Sequence, residues 1–176
     1  MTMSQHRPFF RLATARAASA LCAALLLPAC ALAQDVIRHR IPGSDFPIAR
    51  AVEVPAGKTM VHLSGAGPVW LDRSLPATSP AAYGNTRAQT VSTLKAIEAT
   101  LTDLKLGMGD VVRMQVFLVG DPALNGEMDF AGFMAGYREF FGTSAQPNLP
   151  VRSTMKVAGL ANTGWLVEIE VSAVRP

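Results

Sequence analysis

The sequence predicts a two-layer α+β domain in which two helices cover one face of a mixed β-sheet. Short apolar runs with alternating hydrophobicity predict strands, two stretches with apolar residues at helical spacing predict helices, and together they follow the order β-β-α-β-α-β-β. Because one sheet face can cover the apolar stripes of both helices, we expect both helices on the same side. The 176 residues, 49% of them hydrophobic, suffice for one such domain with a packed core.

The domain is predicted to begin with a hairpin. Ala51 to Val54 and Met60 to Leu63 are short apolar runs, and the turn sequence Pro-Ala-Gly-Lys joins them. Residues 34–45, before the domain proper at 46–176, are polar and are predicted to be an irregular lead-in. The second run ends at Ser64 and Gly65, where small residues allow a ligand or a neighbouring chain to approach closely. An ordinary tight turn explains these residues equally well.

The middle of the chain predicts a helix, a long strand and a second helix. Asn85 or Thr86 can cap the first helix, which continues to about Lys105. Asp110 to Val119 reads as the strand, and Met128 to Phe141 as the second helix. The second helix carries one stripe of large side chains, at Phe130, Phe133, Met134, Tyr137 and Phe141. An aromatic stripe at this spacing is typical of a core-facing surface, so we expect it to be buried.

The end of the chain carries the residues that are the best candidates for a chemical role. Arg152 to Val157 and Trp165 to Ala173 are alternating runs separated by turn residues, which predicts a C-terminal hairpin. On the second run, Glu168 and Glu170 share a face with Leu166. Arg152 is then expected on the neighbouring strand, where a solvated cross-strand ion pair is the simplest interpretation. A half-apolar open sheet face also predicts oligomerisation.

Residues 1–33 have the pattern of a secretory signal peptide. Three arginines precede an apolar run, Ala17 to Leu27, that is too short to span a bilayer, and Ala-Leu-Ala then ends at Ala33. Leu27-Pro28-Ala29-Cys30 also resembles a lipobox, in which case Cys30 would be lipidated and anchor the protein to a membrane. The sequence therefore predicts export, to the periplasm, with cleavage after Ala33 as the preferred alternative.

Removing this leader changes what the composition implies. The whole chain has a formal charge of +3, with 16 Lys and Arg against 13 Asp and Glu, but the three excess cations all lie in the leader. A near-neutral mature chain lacks the basic surface of a nucleic-acid-binding protein. Both cysteines, Cys22 and Cys30, also precede the cleavage point, which excludes disulfides, a thiolate nucleophile and thiolate metal sites from the mature chain.

The sequence from Pro150 to Ile169 resembles the C-terminal signature of the Rid (YjgF) family of enamine/imine deaminases. It reads P-V-R-S-T-M-K-V-A-G-L, then six residues, then V-E-I. Four further segments are similar to the family: SGAGP after the second strand, TRAQTVSTLKAIEATL in the first helix, LKLGMGDVVRMQVFLVG before and within the long strand, and DFAGFMAGYREFFG in the second helix. The resemblance extends from about Phe46 to Arg175, which is nearly all of the predicted mature chain.

The resemblance implies a fold like that of the small trimeric chorismate mutases, with homotrimers that hold their sites between subunits. It also implies hydrolysis of 2-imino and 2-enamino acids to 2-keto acids and ammonia. By this resemblance, Arg152 binds the substrate carboxylate and Glu168 positions and activates water. Backbone groups at Ser64, Gly65 and Thr154 would hold the substrate. No metal or organic cofactor is implied, because an imine is already electrophilic.

Three positions depart from the pattern of many deaminating relatives. Ile48 stands where they have tyrosine, Met134 where they have asparagine, and Thr154 at a small position that is often cysteine. These changes affect the wall of the expected pocket and favour larger apolar side chains over aminoacrylate. Two other functions stay open at this point: a non-catalytic trimer that binds small carboxylates at Arg152, and RNA cleavage, which the near-neutral charge disfavours.

Overall fold

The structure, a computed structural model, describes residues 35–176, which form six strands and two helices. In chain order these are β1 (Ile37–Arg40), β2 (Ala49–Glu53), β3 (Met60–His62), α1 (Thr86–Asp103), β4 (Val111–Val119), α2 (Phe130–Tyr137), β5 (Val151–Val157) and β6 (Val167–Val174). The predicted leader lies outside the described residues. Within 35–176, the helices are too short or too polar to cross a lipid bilayer.

The main sheet has four strands in the order β3-β6-β4-β5. β4 is parallel to β5 and antiparallel to β6, so the sheet is mixed as predicted. β1 and β2 form a separate antiparallel pair, and the amide of Ala49 in β2 donates to the carbonyl of Pro150, just before β5. β5 is therefore one of the two edge strands of the main sheet, β3 being the other, and β2 lies beside its first residues.

The helices form where the sequence supplies a cap and an apolar stripe. The Asn85 side chain accepts a hydrogen bond from the Ala88 amide and caps α1, as predicted. The Asp129 side chain caps α2 in the same way. The helices contribute these side chains to one core with the sheet: Leu94, Ile97 and Leu101 from α1, and Phe133, Met134 and Tyr137 from α2. The predicted two-layer fold class is therefore confirmed.

The two faces of the main sheet differ in what covers them. Along β4, Met114, Val116 and Leu118 are buried in the core with the helices, whereas Arg113 is exposed. The alternation of a strand places Gln115 and Phe117 on the same face as Arg113. We call the face of Met114, Val116 and Leu118 the helix face, and the face of Arg113, Gln115 and Phe117 the open face. Within residues 35–176, both α-helices pack on the helix face, in agreement with the predicted architecture.

The predicted C-terminal hairpin is wrong. β5 and β6 are not neighbours, because β4 lies between them and pairs with both. β4 is apolar and is buried because it has a partner strand on each side. Neither of the two C-terminal runs, taken alone, indicates that β4 is its partner. Arg152 and Glu168 are therefore not on adjacent strands, and the cross-strand ion pair that the hairpin would have allowed does not form.

Two predictions for the N-terminal half are also wrong. β2 and β3 do not form a hairpin, since β2 pairs with β1 and β3 pairs with β6. The partner of β2 comes from the lead-in that was predicted to be irregular, where Ile37–Arg40 forms a strand.

The prediction that Leu166 lies on the open face is wrong as well. Leu166 precedes β6 and is 2% exposed within the core, where Gln89 accepts a hydrogen bond from its amide.

Candidate functional site

Arg152 lies on the helix face of β5, inside a group of aromatic rings. In the register of β5 with β4, Arg152 pairs with the buried Met114. The carbon of its guanidinium is 4.4 Å from the ring centre of Tyr137 and 4.9 Å from that of Phe133. Phe46 and Phe130 stand farther out, at 5.5 and 6.0 Å. These four rings, which we call the aromatic cage, hold the cation by cation–π attraction.

The guanidinium of Arg152 keeps unused hydrogen-bonding capacity in this cage. Its Nε and Nη1 atoms are buried and have no hydrogen-bond partner among the described residues. The same is true of the Thr154 hydroxyl, two residues farther along the same face of β5. Burial lowers the pKa of Arg152 from its ordinary value, while Tyr137 partly opposes that shift. Buried donors without partners are costly, so this arrangement suits an anionic ligand.

Glu168 lies on the open face of β6, close to the turn that follows β3. It pairs in register with Phe117, three residues along β4 from the partner of Arg152, and so it points to the opposite side of the sheet. A Cβ atom added to Gly65 would lie 2.6 Å from Glu168 Oε1, so the carboxylate sits directly against this glycine. The amides of Ser64 and Gly65 donate to no acceptor within residues 35–176, whereas that of Ala66 donates to Ile169.

The predicted site residues therefore fall into two groups within one chain. Arg152 and Thr154 lie on the helix face, and Glu168 with Ser64 and Gly65 lies on the open face. A single copy cannot place the guanidinium and the carboxylate on the same small substrate. The sequence pattern found both groups but could not show that the sheet separates them.

Arg152, without Thr154, is among the residues that border a cavity of about 440 Å³ at the start of β5. Ile48 lines this cavity together with Arg152. Met134 is instead 8% exposed within α2 and is part of the hydrophobic core. The cavity falls within the size range of small-molecule sites, and it lies where a neighbouring chain could close it.

The open face carries apolar side chains next to Glu168. Phe117 and Val119 of β4 face Met155 and Val157 of β5 across the parallel pair. Met155 is 36% exposed on the edge strand. An apolar patch beside an unpaired strand edge favours contact with another chain.

Two other features of the described residues do not contribute to this site. A cavity of about 770 Å³ lies along the outer surface of α1 and is bordered by Val69, Leu71 and Val91, away from Arg152 and Glu168. Within 35–176, side chains of His, Cys, Asp and Glu form no group of three or more that could hold a metal ion.

The aromatic cage is the part of the site that the sequence analysis missed. Phe133 and Tyr137 were predicted as core residues, and both are fully buried. Their second role, as walls around a cation, depends on β5 passing beneath α2. The signal that could have indicated it is the coincidence of an aromatic helix stripe with an arginine in an otherwise apolar strand.

Comparison with known proteins gives consistent matches over most of the chain. The model of a family described as Endoribonuclease L-PSP matches residues 43–175. A RutC family protein of Haemophilus influenzae is 32% identical over 144 residues, which cover 82% of this chain and 98% of that protein.

Solved structures give the same result. A structure of Escherichia coli TdcF with bound serine is 29% identical, has a TM-score of 0.51, and covers 81% of this chain and 99% of its own. The Escherichia coli YjgF gene product is 27% identical with a TM-score of 0.50, over 79% of this chain and 94% of its own. The Rid family protein YyfB of Yersinia pestis has a TM-score of 0.61 at 20% identity, over 81% of this chain and all of its own, and shows the fold alone. The fold is therefore that of these proteins, consistent with the expected likeness to chorismate mutase.

Proposed function

The chain belongs to the Rid (YjgF) family, and we propose that it hydrolyses 2-imino and 2-enamino acids to 2-keto acids and ammonia. In this proposal each site lies between two copies of the chain. Arg152 and its aromatic cage come from one copy, and Glu168 with the Ser64–Gly65 turn comes from a second. The observation that carries the proposal is the caged guanidinium, two of whose buried nitrogen atoms have no hydrogen-bond partner within residues 35–176.

Arg152 binds the substrate carboxylate in this proposal. A guanidinium presents parallel N–H groups that match the two oxygens of a carboxylate, and its charge strengthens each hydrogen bond. The cage removes water from the cation, so the free energy of the ion pair is larger than on an open surface. The unpartnered hydroxyl of Thr154 supplies a further polar contact on the same face.

Glu168 of the second copy acts on the water that attacks the imine carbon. As the new C–O bond forms, the carboxylate accepts one proton from this water and passes it to the imine nitrogen, which gives a neutral tetrahedral carbinolamine. Glu168 then accepts the proton of the carbinolamine hydroxyl as the C=O bond forms, and it donates this proton to the nitrogen as the C–N bond breaks and ammonia leaves. The products are a 2-keto acid and ammonia, and the glutamate returns to its starting state.

The shape of one chain supports an assembly with sites between copies. The two groups lie on opposite faces, so only a second chain can bring them together. The open face also carries the apolar Phe117 and Met155, and Met155 lies on β5, an edge strand of the main sheet. We propose a homotrimer, as the family resemblance implies, in which the open face and this edge are covered by neighbouring copies.

The serine bound to TdcF agrees with a site for a small amino-acid-like molecule. A 2-imino acid shares the carboxylate and the α-nitrogen position of an amino acid. We propose export as well, on the basis of the signal peptide pattern in residues 1–33. The chemistry that we propose uses no cofactor.

The proposal is tested by the ammonia release that the protein catalyses from a panel of 2-imino acids made in situ by an amino-acid oxidase. We expect Arg152→Ala and Glu168→Gln each to lower kcat/KM about 100-fold or more. Lys156→Ala is the matched control on the same face of β5, and Glu170→Gln is the matched control on the same face of β6. Both controls should stay close to the wild type. Equal rates for Arg152→Ala and Lys156→Ala would contradict the assigned role.

A second function, the binding of small carboxylates without catalysis, is favoured by the position of Glu168. Arg152, Thr154 and the cage are complete in one chain, whereas the proposed catalytic carboxylate is not with them. A protein that only binds small carboxylates would need the first group alone. Calorimetry that shows keto-acid binding lost in Arg152→Ala, together with no turnover of any imine in the panel, would favour this function.

A further inference from the structure

The turn after β3, residues 64–67, is held to β6 and to the residues before it at consecutive positions. Ala66 exchanges two backbone hydrogen bonds with Ile169 of β6, of 2.9 and 3.0 Å. One residue farther along, a Cβ atom on Gly67 would lie 2.5 Å from Cζ3 and 2.6 Å from both Cε3 and Cη2 of the Trp165 indole. The six-membered ring of Trp165 therefore lies directly against the backbone of Gly67.

Packing, rather than a hydrogen bond, holds this indole in place. The Trp165 Nε1 atom is buried and has no hydrogen-bond partner among residues 35–176. A buried N–H group without an acceptor costs free energy, so the tryptophan gains no stability from its polar atom. What the tryptophan supplies is length, because phenylalanine, a shorter side chain, would leave the places of Cζ3 and Cη2 against Gly67 empty.

The backbone on both sides of Trp165 is fixed to the first helix. Gln89 of α1 is fully buried, and its side-chain nitrogen donates to the Gly164 carbonyl at 3.2 Å, while its side-chain oxygen accepts from the Leu166 amide at 2.7 Å. The Trp165 amide itself donates to the Asn162 carbonyl at 3.0 Å. Because both of its neighbours are bound to a helix in the core, the Trp165 ring is a fixed surface against which the turn rests.

We propose that Trp165 is a positioning residue for the catalytic carboxylate. Its ring holds Gly67 and, through the turn, keeps Gly65 directly against the carboxylate of Glu168. This inference rests on the proposed function, in which Glu168 acts on the attacking water. A shift of the turn would misplace the carboxylate relative to the imine carbon, and a misplacement of about 1 Å can lower a rate about 100-fold.

Imine turnover by Trp165→Phe tests this role. We expect kcat to fall about tenfold, because the shorter ring lets the turn and Glu168 shift. KM should change less than about threefold, since Arg152 of the neighbouring copy still binds the substrate carboxylate. Trp70→Phe is the matched control, because Trp70 is the other tryptophan of the chain and its indole donates to Asp72 in the loop between β3 and α1. The control should change neither constant, and a wild-type kcat in Trp165→Phe would overturn the proposal.

The same substitution in the Glu168→Gln protein separates positioning from a general structural defect. If Trp165 acts through Glu168, Trp165→Phe should leave the residual kcat of Glu168→Gln within about twofold. A general defect would lower kcat by the same factor whether or not the glutamate is present. An equal loss in both backgrounds would therefore overturn the proposal.

Fluorescence tests the contact between Trp165 and the turn without relying on turnover. In the Trp70→Phe protein, Trp165 is the only tryptophan. Titration with 2-ketobutyrate should change its emission, because a ligand held by the Ser64 and Gly65 amides moves the turn that rests on the indole. This change should be lost in Trp70→Phe/Arg152→Ala. No emission change at any keto-acid concentration would overturn the proposal, whereas an emission change without turnover of any imine would refute the deaminase function alone.

Discussion

At the scale of residues, the proposed function depends on a cation held among aromatic rings. The phenol of Tyr137 donates a hydrogen bond of 2.8 Å to the carbonyl of Pro47, while its ring packs against the Arg152 guanidinium. One side chain thus fixes the segment that leads into β2 and forms a wall of the cage. Because the tyrosine is buried, its polar hydrogen needs this acceptor.

Tyr137 predicts a pH dependence of stability. Burial raises the pKa of Tyr137 above its ordinary value, and the nearby charge of Arg152 only partly opposes this. The contribution of the protonated Tyr137 to the free energy of unfolding is therefore fully present below about pH 10, the pKa of an unfolded tyrosine. This contribution is lost as the pH rises toward the folded-state pKa.

The variant Tyr137→Phe isolates this effect. We expect it to cost about 1 kcal/mol of unfolding free energy at pH 7, because the Pro47 carbonyl loses its donor. The difference between wild type and variant should shrink at about pH 11, where ionisation destabilises only the wild type. Urea unfolding at the two pH values measures it. A difference that is constant or larger at the higher pH would contradict the buried, raised-pKa tyrosine.

At the scale of elements, the turn after β3 determines where Glu168 can lie. Gly65 has no room for a side chain, because a Cβ there would lie 2.6 Å from the Glu168 carboxylate oxygen. The carboxylate is the far end of a flexible side chain, so it can move away at little cost in stability. A methyl group at this position should therefore displace the proposed catalytic group without unfolding the domain.

The variant Gly65→Ala should lower kcat about tenfold or more while changing the unfolding free energy by less than about 1 kcal/mol. Gly159→Ala is the matched control, since a Cβ there would meet no atom within 4 Å. Imine turnover and urea unfolding are measured for both. Full activity in Gly65→Ala would show that the turn does not position Glu168.

Elements with strong local signals could be predicted from the sequence, and their pairing could not. The spacing of Leu94, Ile97 and Leu101 and the cap at Asn85 located α1 closely, because both signals lie within a few turns of helix. The strands β5 and β6 were located as well, but their partner is β4 in both cases. Strand pairing depends on which distant segments bury each other. The alternation of residues within one strand indicates the strand but not its partner.

At the scale of the whole molecule, the open face is expected to be an interface. Met155 lies on this face, on the edge strand, and is 36% exposed in one chain. A carboxylate there would be desolvated on assembly without a partner, which is costly. Replacement of Met155 by glutamate should therefore weaken the proposed trimer, although an isolated chain tolerates it.

The variant Met155→Glu should shift the protein from trimer to monomer in size-exclusion chromatography with light scattering, and imine turnover should fall with it. Leu124→Glu is the control, because Leu124 is 44% exposed in the connection between β4 and α2, outside the main sheet. A Met155→Glu protein that remains a trimer would exclude this part of the open face from the interface.

The central claim, that Arg152 and Glu168 act from different copies, is tested most directly by subunit complementation. Arg152→Ala and Glu168→Gln proteins, each inactive alone, are unfolded together in equal amounts and refolded. If each site takes its arginine from one copy and its glutamate from a neighbour, each trimer of mixed composition has one intact site, which makes about a quarter of all sites intact. We therefore expect recovery of about a quarter of wild-type imine turnover. Recovery no greater than that of the separate variants would contradict it.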